Sequence, residues 1–128
     1  MSTTLVERLR ELVERASEAE DVGYKLLYLR YCRDVMYWLW RLERNAIAFL
    51  VLNTVAPAIN ILTDIVKRRG YGAEEVATYV DRAVAVVEKL IDVLKQERSR
   101  ALNTLLQVIE KDFLPLVEEL IDRRNSLL

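Results

Sequence analysis

Histidine is absent from this chain of 128 residues. That absence removes Ser-His and Cys-His nucleophile pairs, the usual zinc ligand sets and the Glu-x-x-His di-metal motif. Cysteine occurs once, as Cys32, so no intrachain disulfide can form, and in its apolar surroundings the residue reads as a small buried hydrophobe. Three glycines and two prolines leave few turns, so helices must be long and loops short. There is no glycine-rich phosphate loop, no Walker sequence, no strand-like alternation, no internal repeat and no low-complexity stretch. The first residues, Met1 to Arg8, lack the basic start and apolar run of a secretory signal. The pairs Glu88/Asp92 and Glu118/Asp122 share helical faces and could chelate a cation, but solvated surface is the expected reading. The chain is therefore expected to be no enzyme and to need no metal or cofactor.

What remains is a core-forming, strongly charged chain. It is 52% hydrophobic and 30% charged, which excludes a disordered chain and suits a single domain, 1–128. The net charge of -1 hides three zones. Residues 1–23 carry three basic and six acidic groups, residues 24–69 eight and three, and residues 70–128 eight and eleven. An overall neutral chain with a basic middle can present that third to a polyanion. The plain alternative is that the acidic helices neutralise the basic one within a bundle. Arginine outnumbers lysine by 14 to 5 and only two glutamines occur, which leans toward a thermophilic origin.

The periodicity predicts an all-α fold, a bundle of three to five long helices, extended and assembled with other subunits. A first, acidic helix spans about residues 4–20. Ser2, Thr3 and Thr4 offer N-caps, Glu7 completes a capping-box pattern with Thr4, and Leu5, Leu9, Leu12, Ala16 and Ala19 form a heptad-like seam. Gly23 marks the expected break. A second helix is predicted from about Tyr24 to Val55, with a kink at Pro57 or a new helix capped by Asn53 or Thr54. It continues to Lys67-Arg68-Arg69, where basic groups suit a helix C-terminus, and Gly70-Tyr71-Gly72 stops it. Residues 73–128 read as one very long helix or, with a turn at Ser99, a pair. Val76, Val80, Ala83, Val87, Leu90, Ile91 and Leu94 form an apolar face that reappears at Leu102, Leu105, Ile109, Leu116 and Leu120, so the phase is kept across Arg98-Ser99-Arg100, and Pro115 marks a kink. Ala46–Leu62 resembles a membrane span, but Asn53, Thr54, Pro57 and Asn60 interrupt it, and burial in protein explains it better.

The candidate site is a row of arginines on the second helix. At about 100° per residue, Arg30, Arg33, Arg41 and Arg44 fall within an arc of about 80° around Tyr37 and span about 21 Å of axis. Most of the remaining circumference is apolar, so the helix is expected to be buried apart from this face. Guanidinium groups are permanently charged and bind anionic oxygens in bidentate fashion, so such a row suits a row of phosphates. Tyr37, with Trp40 and Tyr24 nearby, can stack or hydrogen-bond beside a sugar-phosphate backbone. Lys67, Arg68 and Arg69 join the set as candidates, although helix ends attract such residues anyway. The spacing holds no base-reading signature, so contact would be independent of sequence. A solvated face partly neutralised by Asp34 is the competing explanation. A second polar row, Arg82, Lys89, Gln96, Arg100, Gln107 and Lys111, reads as solvated surface first and as a subunit or DNA contact second.

The stretch Leu52-Asn53-Thr54-Val55-Ala56-Pro57-Ala58-Ile59 is similar to an Asn/Thr-Val-Ala-Pro segment in the coat proteins of rod-shaped archaeal viruses, the rudiviruses. Size, helical pattern and composition also resemble the coat proteins of filamentous hyperthermophile viruses such as the tristromaviruses. The resemblance implies a capsid subunit whose helices wrap double-stranded DNA in a helical virion. Self-association, and a second coat-like subunit, would be its partners, with the virion or the host cytoplasm as its location. It departs from the rudivirus pattern in its scarcity of Gly, Pro and Ser and in its acidic flanking helices. Two other functions fit the same residues. One is a small helical subunit lining nucleic acid in an RNA-guided defence complex. The other is a helical protein-protein interaction module without nucleic acid, since the second helix carries more apolar surface than a small bundle covers.

Overall fold

The computed structural model describes residues 4–127. Every regular element among them is helical: α1 (Leu5–Glu18), α2 (Val22–Glu43), α3 (Ala46–Arg69), α4 (Glu74–Val93), α5 (Arg98–Val108) and α6 (Leu114–Ser126). A five-residue π-turn, Ile109–Phe113, joins α5 to α6, so the bundle consists of five rods. The expected all-α bundle is present.

α1 forms as its seam dictates. Thr4 Oγ1 accepts the N–H of Glu7 at 3.1 Å, and Leu9, Leu12, Val13 and Ala16 are buried. Ser2 and Thr3 lie outside the described residues. Lys25 closes the other end, its Nζ donating to the carbonyls of Ala16 (3.0 Å) and Ser17 (3.1 Å), two of the acceptors a helix terminus leaves open. The break comes before Gly23 rather than at it. Asp21 caps α2 by accepting the N–H of Tyr24, and Gly23 sits in the first turn. A Cβ there would lie 2.9 Å from the Asp21 carboxylate and 3.4 Å from the Tyr71 ring, so close approach explains the glycine.

The predicted helix from Tyr24 to Val55 is two helices. The chain reverses at Arg44-Asn45, where Arg44 takes a left-handed conformation (φ 56°) and the Asn45 side chain accepts the N–H of Ala48 at 3.0 Å. Asparagine is a strong N-cap, and it opens α3 there, well before Pro57. Pro57 is instead accommodated inside α3. It offers no N–H to the carbonyl of Asn53, and both residues are exposed, where water replaces that bond. α3 is long and apolar enough to cross a membrane, and a third of its most apolar stretch is buried in the bundle.

α4 packs against α1, α2, α3, α5 and α6 and is the central rod. Val76, Val80, Val84, Val87, Leu90 and Ile91 are among its buried side chains. Among the described residues, all six ion pairs that join different elements also end on it: Arg10–Asp92, Lys25–Asp81, Arg69–Glu75, Arg123–Glu75, Arg82–Glu119 and Lys89–Asp112, the last from the π-turn. Of the two alternatives for the region after Gly72 the structure has the helix pair, turning at residues 94–97, just ahead of Ser99. Half of the second polar row is spent on this pairing, while Arg100, Gln107 and Lys111 are exposed. Arg82 and Lys89 meet acids of α6 and the π-turn, and Gln96 accepts from Thr104 at 2.9 Å.

Candidate nucleic-acid interface

α2 buries one face only. Leu29, Cys32, Met36 and Leu39 recur at spacings of three and four and point into the core. The expectation that apolar residues would bury most of the circumference fails, because Tyr24, Leu27, Tyr31, Tyr37, Trp38 and Leu42 are exposed. The outer surface divides lengthwise. Toward α1 run Tyr24, Tyr31, Trp38 and Leu42; toward α3 run Arg30, Tyr37 and Arg41.

α3 lies antiparallel beside the basic half. Arg33 Nη1 donates to Asn60 Oδ1 at 3.2 Å, and Gly23 abuts Tyr71, which sets residue 30 of α2 beside the last turns of α3. The exposed border of α3 there carries Asn53, Pro57, Asn60 and Lys67, with Asp64 half-buried. Arg30 also borders a shallow groove with Tyr24, Leu27 and Tyr71.

The predicted residues therefore separate into three groups. Arg30, Arg41 and Lys67 are exposed on this two-helix surface, and none has a carboxylate within ion-pair distance among the described residues. Tyr37 lies between the two arginines, its ring edge-on to Trp38 at 5.3 Å. Arg33 belongs to the surface but is committed. It is half-buried, bonded to Asn60 and 3.5 Å from Asp34. Arg44 leaves the row, because the left-handed turn carries it beyond the helix. Its guanidinium stands 6.0 Å from the centre of the Trp40 ring, which packs on Phe49 at 4.8 Å. It remains an exposed cation without an acidic partner. Arg68 pairs with Asp64 in its own helix at 3.4 Å, and Arg69 is tied to Glu75 at 2.7 Å, so neither is a free cation.

The electrostatics follow from where the acids went. Acidic residues of α4, α6 and the π-turn serve the inter-helix pairs around α4, and only Lys25 and Arg69, near the two ends of the basic zone, take part. Apart from those two, the zone's six cations (Arg30, Arg33, Arg41, Arg44, Lys67, Arg68) stand with three acids (Asp34, Glu43, Asp64). The expected neutralisation of the basic zone by acidic helices thus occurs at its ends and not along its length. No group of three or more potential metal ligands is gathered among the described residues. Burial pushes the Cys32 thiol up to about 12, which keeps it protonated and a poor nucleophile.

Sequence reasoning found the surplus apolar surface of this segment but not its gathering into one exposed row along α2. Its signal was present as a second four-three repeat, Tyr24, Tyr28, Tyr31, Val35, Trp38 and Leu42, out of phase with the core repeat. Comparison with protein-family models, curated proteins and solved structures finds no match.

Proposed function

We propose that this chain is a non-enzymatic structural subunit that binds double-stranded DNA without sequence preference and assembles with further copies, as a coat protein of a filamentous archaeal virus does. The observation that carries the reading is the unneutralised strip on α2 and α3, where Arg30, Arg41, Arg44 and Lys67 lack acidic partners among the described residues while every inter-helix ion pair sits on α4. Arg30, Arg41, Arg44 and Lys67 contact phosphates, Tyr37 packs against the backbone, and Arg33 is positioned by Asn60. Arg68 and Arg69 shape the end of α3 rather than bind.

The test is affinity for random-sequence duplex DNA across a salt series. Four phosphate contacts give a slope of log affinity on log salt of about -3.6. The double variant Arg30→Glu/Lys67→Glu should flatten that slope by about two and weaken binding at every sequence tested. Absence of binding at low salt, or binding indifferent to that variant, overturns the reading. A second reading, an interaction module without nucleic acid, is favoured by the exposed row Tyr24, Tyr31, Trp38 and Leu42. A stable dimer that ignores DNA at all salt concentrations would select it.

A further inference from the structure

We propose that α2 is the surface through which two copies of this chain associate, its outer seam packed antiparallel against the same seam of a second copy. The seam is Tyr24, Tyr28, Tyr31, Val35, Trp38 and Leu42, spaced four-three-four-three-four over about 27 Å of helix. Tyr24, Tyr31, Trp38 and Leu42 are 62%, 47%, 49% and 68% exposed, although side chains at this spacing are those a helix presents to a partner helix. Tyr28 and Val35, at its base, pack on the core. No helix among the described residues covers the row.

Charge selects a second copy as the occupant. Asp34 and Arg41 stand exposed, seven residues apart, on the flank of the seam that faces α3. A two-fold antiparallel contact brings like flanks together, so each copy can offer its Asp34 to the other's Arg41. Registers that keep seam opposite seam differ by whole heptads. With Tyr24 opposite the partner's Leu42, the two Asp34 carboxylates meet each other. Sliding by one heptad places Tyr31 opposite the partner's Leu42 and Val35 opposite the partner's Trp38. Each Asp34 then comes within about 3 Å, in axial level, of the partner's Arg41. The repulsive register becomes one with two reciprocal ion pairs.

The length of α1 favours the same register. α1 runs antiparallel to α2 with Ala16 and Ser17 level with Lys25, so its first turn reaches about the level of Trp38. In the slid register the partner's α1 begins where this one stops, whereas full overlap would set the two α1 helices on the same stretch of α2. The contact does not depend on DNA binding, and the Arg41 guanidinium, with five N–H donors, can serve the partner's Asp34 and a phosphate together.

Sedimentation of the nuclease-treated full chain tests the proposal. The wild-type chain should dimerise. Asp34→Arg and Arg41→Asp should each weaken the dimer by about tenfold or more, since each turns two attractions into two repulsions, and the combined swap should restore it. Trp38→Glu should abolish it while helicity, read by circular dichroism, is unchanged. A monomeric wild-type chain, indifference to the single swaps, or no rescue by the double swap would overturn the interface. A monomer that still binds duplex DNA would overturn it and leave the DNA reading standing.

Discussion

Glu75 does more joining than any other side chain in the molecule. Its Oε1 accepts from Arg69 at the end of α3 and from Arg123 near the end of α6, both at 2.7 Å, so one carboxylate at the start of α4 ties three helices. The hydrogen bond from Arg123, followed by the contribution of Arg69, holds its pKa below the ordinary glutamate value of 4.5. A carboxyl lowered on folding stabilises the fold fully above 4.5. That stability is lost as pH falls, because the unfolded chain takes up the proton first. Glu75→Gln should therefore lower the melting temperature at neutral pH, and the two melting curves should converge as pH drops through and below that value. Parallel curves over the whole range would show that the carboxylate charge is not what matters. None of this was legible from residue 75 alone, since its partners lie six and 48 positions away. Arg44 was misplaced for a related reason. Its helical phase was right only if the helix continued, and Asn45, one residue on, ends it by capping the next helix.

At the scale of elements, the α5–α6 rod shows how a phase can be nearly legible and still be misread. Val76, Val80, Ala83, Val87, Leu90 and Ile91 were anticipated as the inner face of α4 and are buried. Leu102, Leu105 and Ile109 were expected to continue that face, but α5 buries Ala101, Leu105 and Val108. The burial then resumes at Phe113, Leu116 and Leu120. From Val108 to Phe113 is five residues, one more than an α-helical face allows, and the π-turn absorbs the extra residue, with the N–H of Leu114 donating to the carbonyl of Ile109. Pro115 explains its position, because proline has no N–H for the carbonyl of Lys111 and crowds it in a regular helix. Deleting the exposed Lys111 together with Pro115→Ala should convert the π-turn to α-helix and keep both buried faces in phase. Its cost in stability should be about 1 kcal/mol, as for an ordinary surface change. Deleting exposed Asn103 instead rotates Ala101 out of phase with Leu105 and Val108 and should cost about 3 kcal/mol or more. Thermal melts of the two deletions decide it, and equal losses would show that the extra residue is not an insertion in a continuous face.

Over the whole molecule, charge and core are organised by different helices. α4 gathers the core and all the inter-helix ion pairs, while α2 and α3 keep most of the unpaired cations of the basic zone on one outer surface. The basic zone was visible as a net of +5 over residues 24–69. Which of its cations are free was not, since that depends on where α4 and α6 place their acids. This separation lets salt distinguish the two sets of charges. Of the ion pairs around α4, Arg10–Asp92, Arg82–Glu119 and Lys89–Asp112 are open to water, while Lys25–Asp81 and the two pairs of Glu75 are partly shielded. Open pairs contribute about 0–1 kcal/mol each and shielded pairs are screened less, so salt should move the melting temperature of the free chain little. DNA bound on the outer strip acts by mass action on the folded state, adding about 2.7 kcal/mol at a hundred times the dissociation constant, or roughly 5–10 °C for a chain of this size. Duplex DNA should therefore raise the melting temperature at low salt and lose that effect as salt rises, through counterion release. Arg30→Glu/Lys67→Glu should abolish the rise without lowering the melting temperature of the free chain, because neither residue holds another helix in place or takes part in the contact between copies. A loss of intrinsic stability in that variant would mean that the two residues belong to the fold. A DNA-induced rise that survives high salt would mean that something other than phosphate contact produces it.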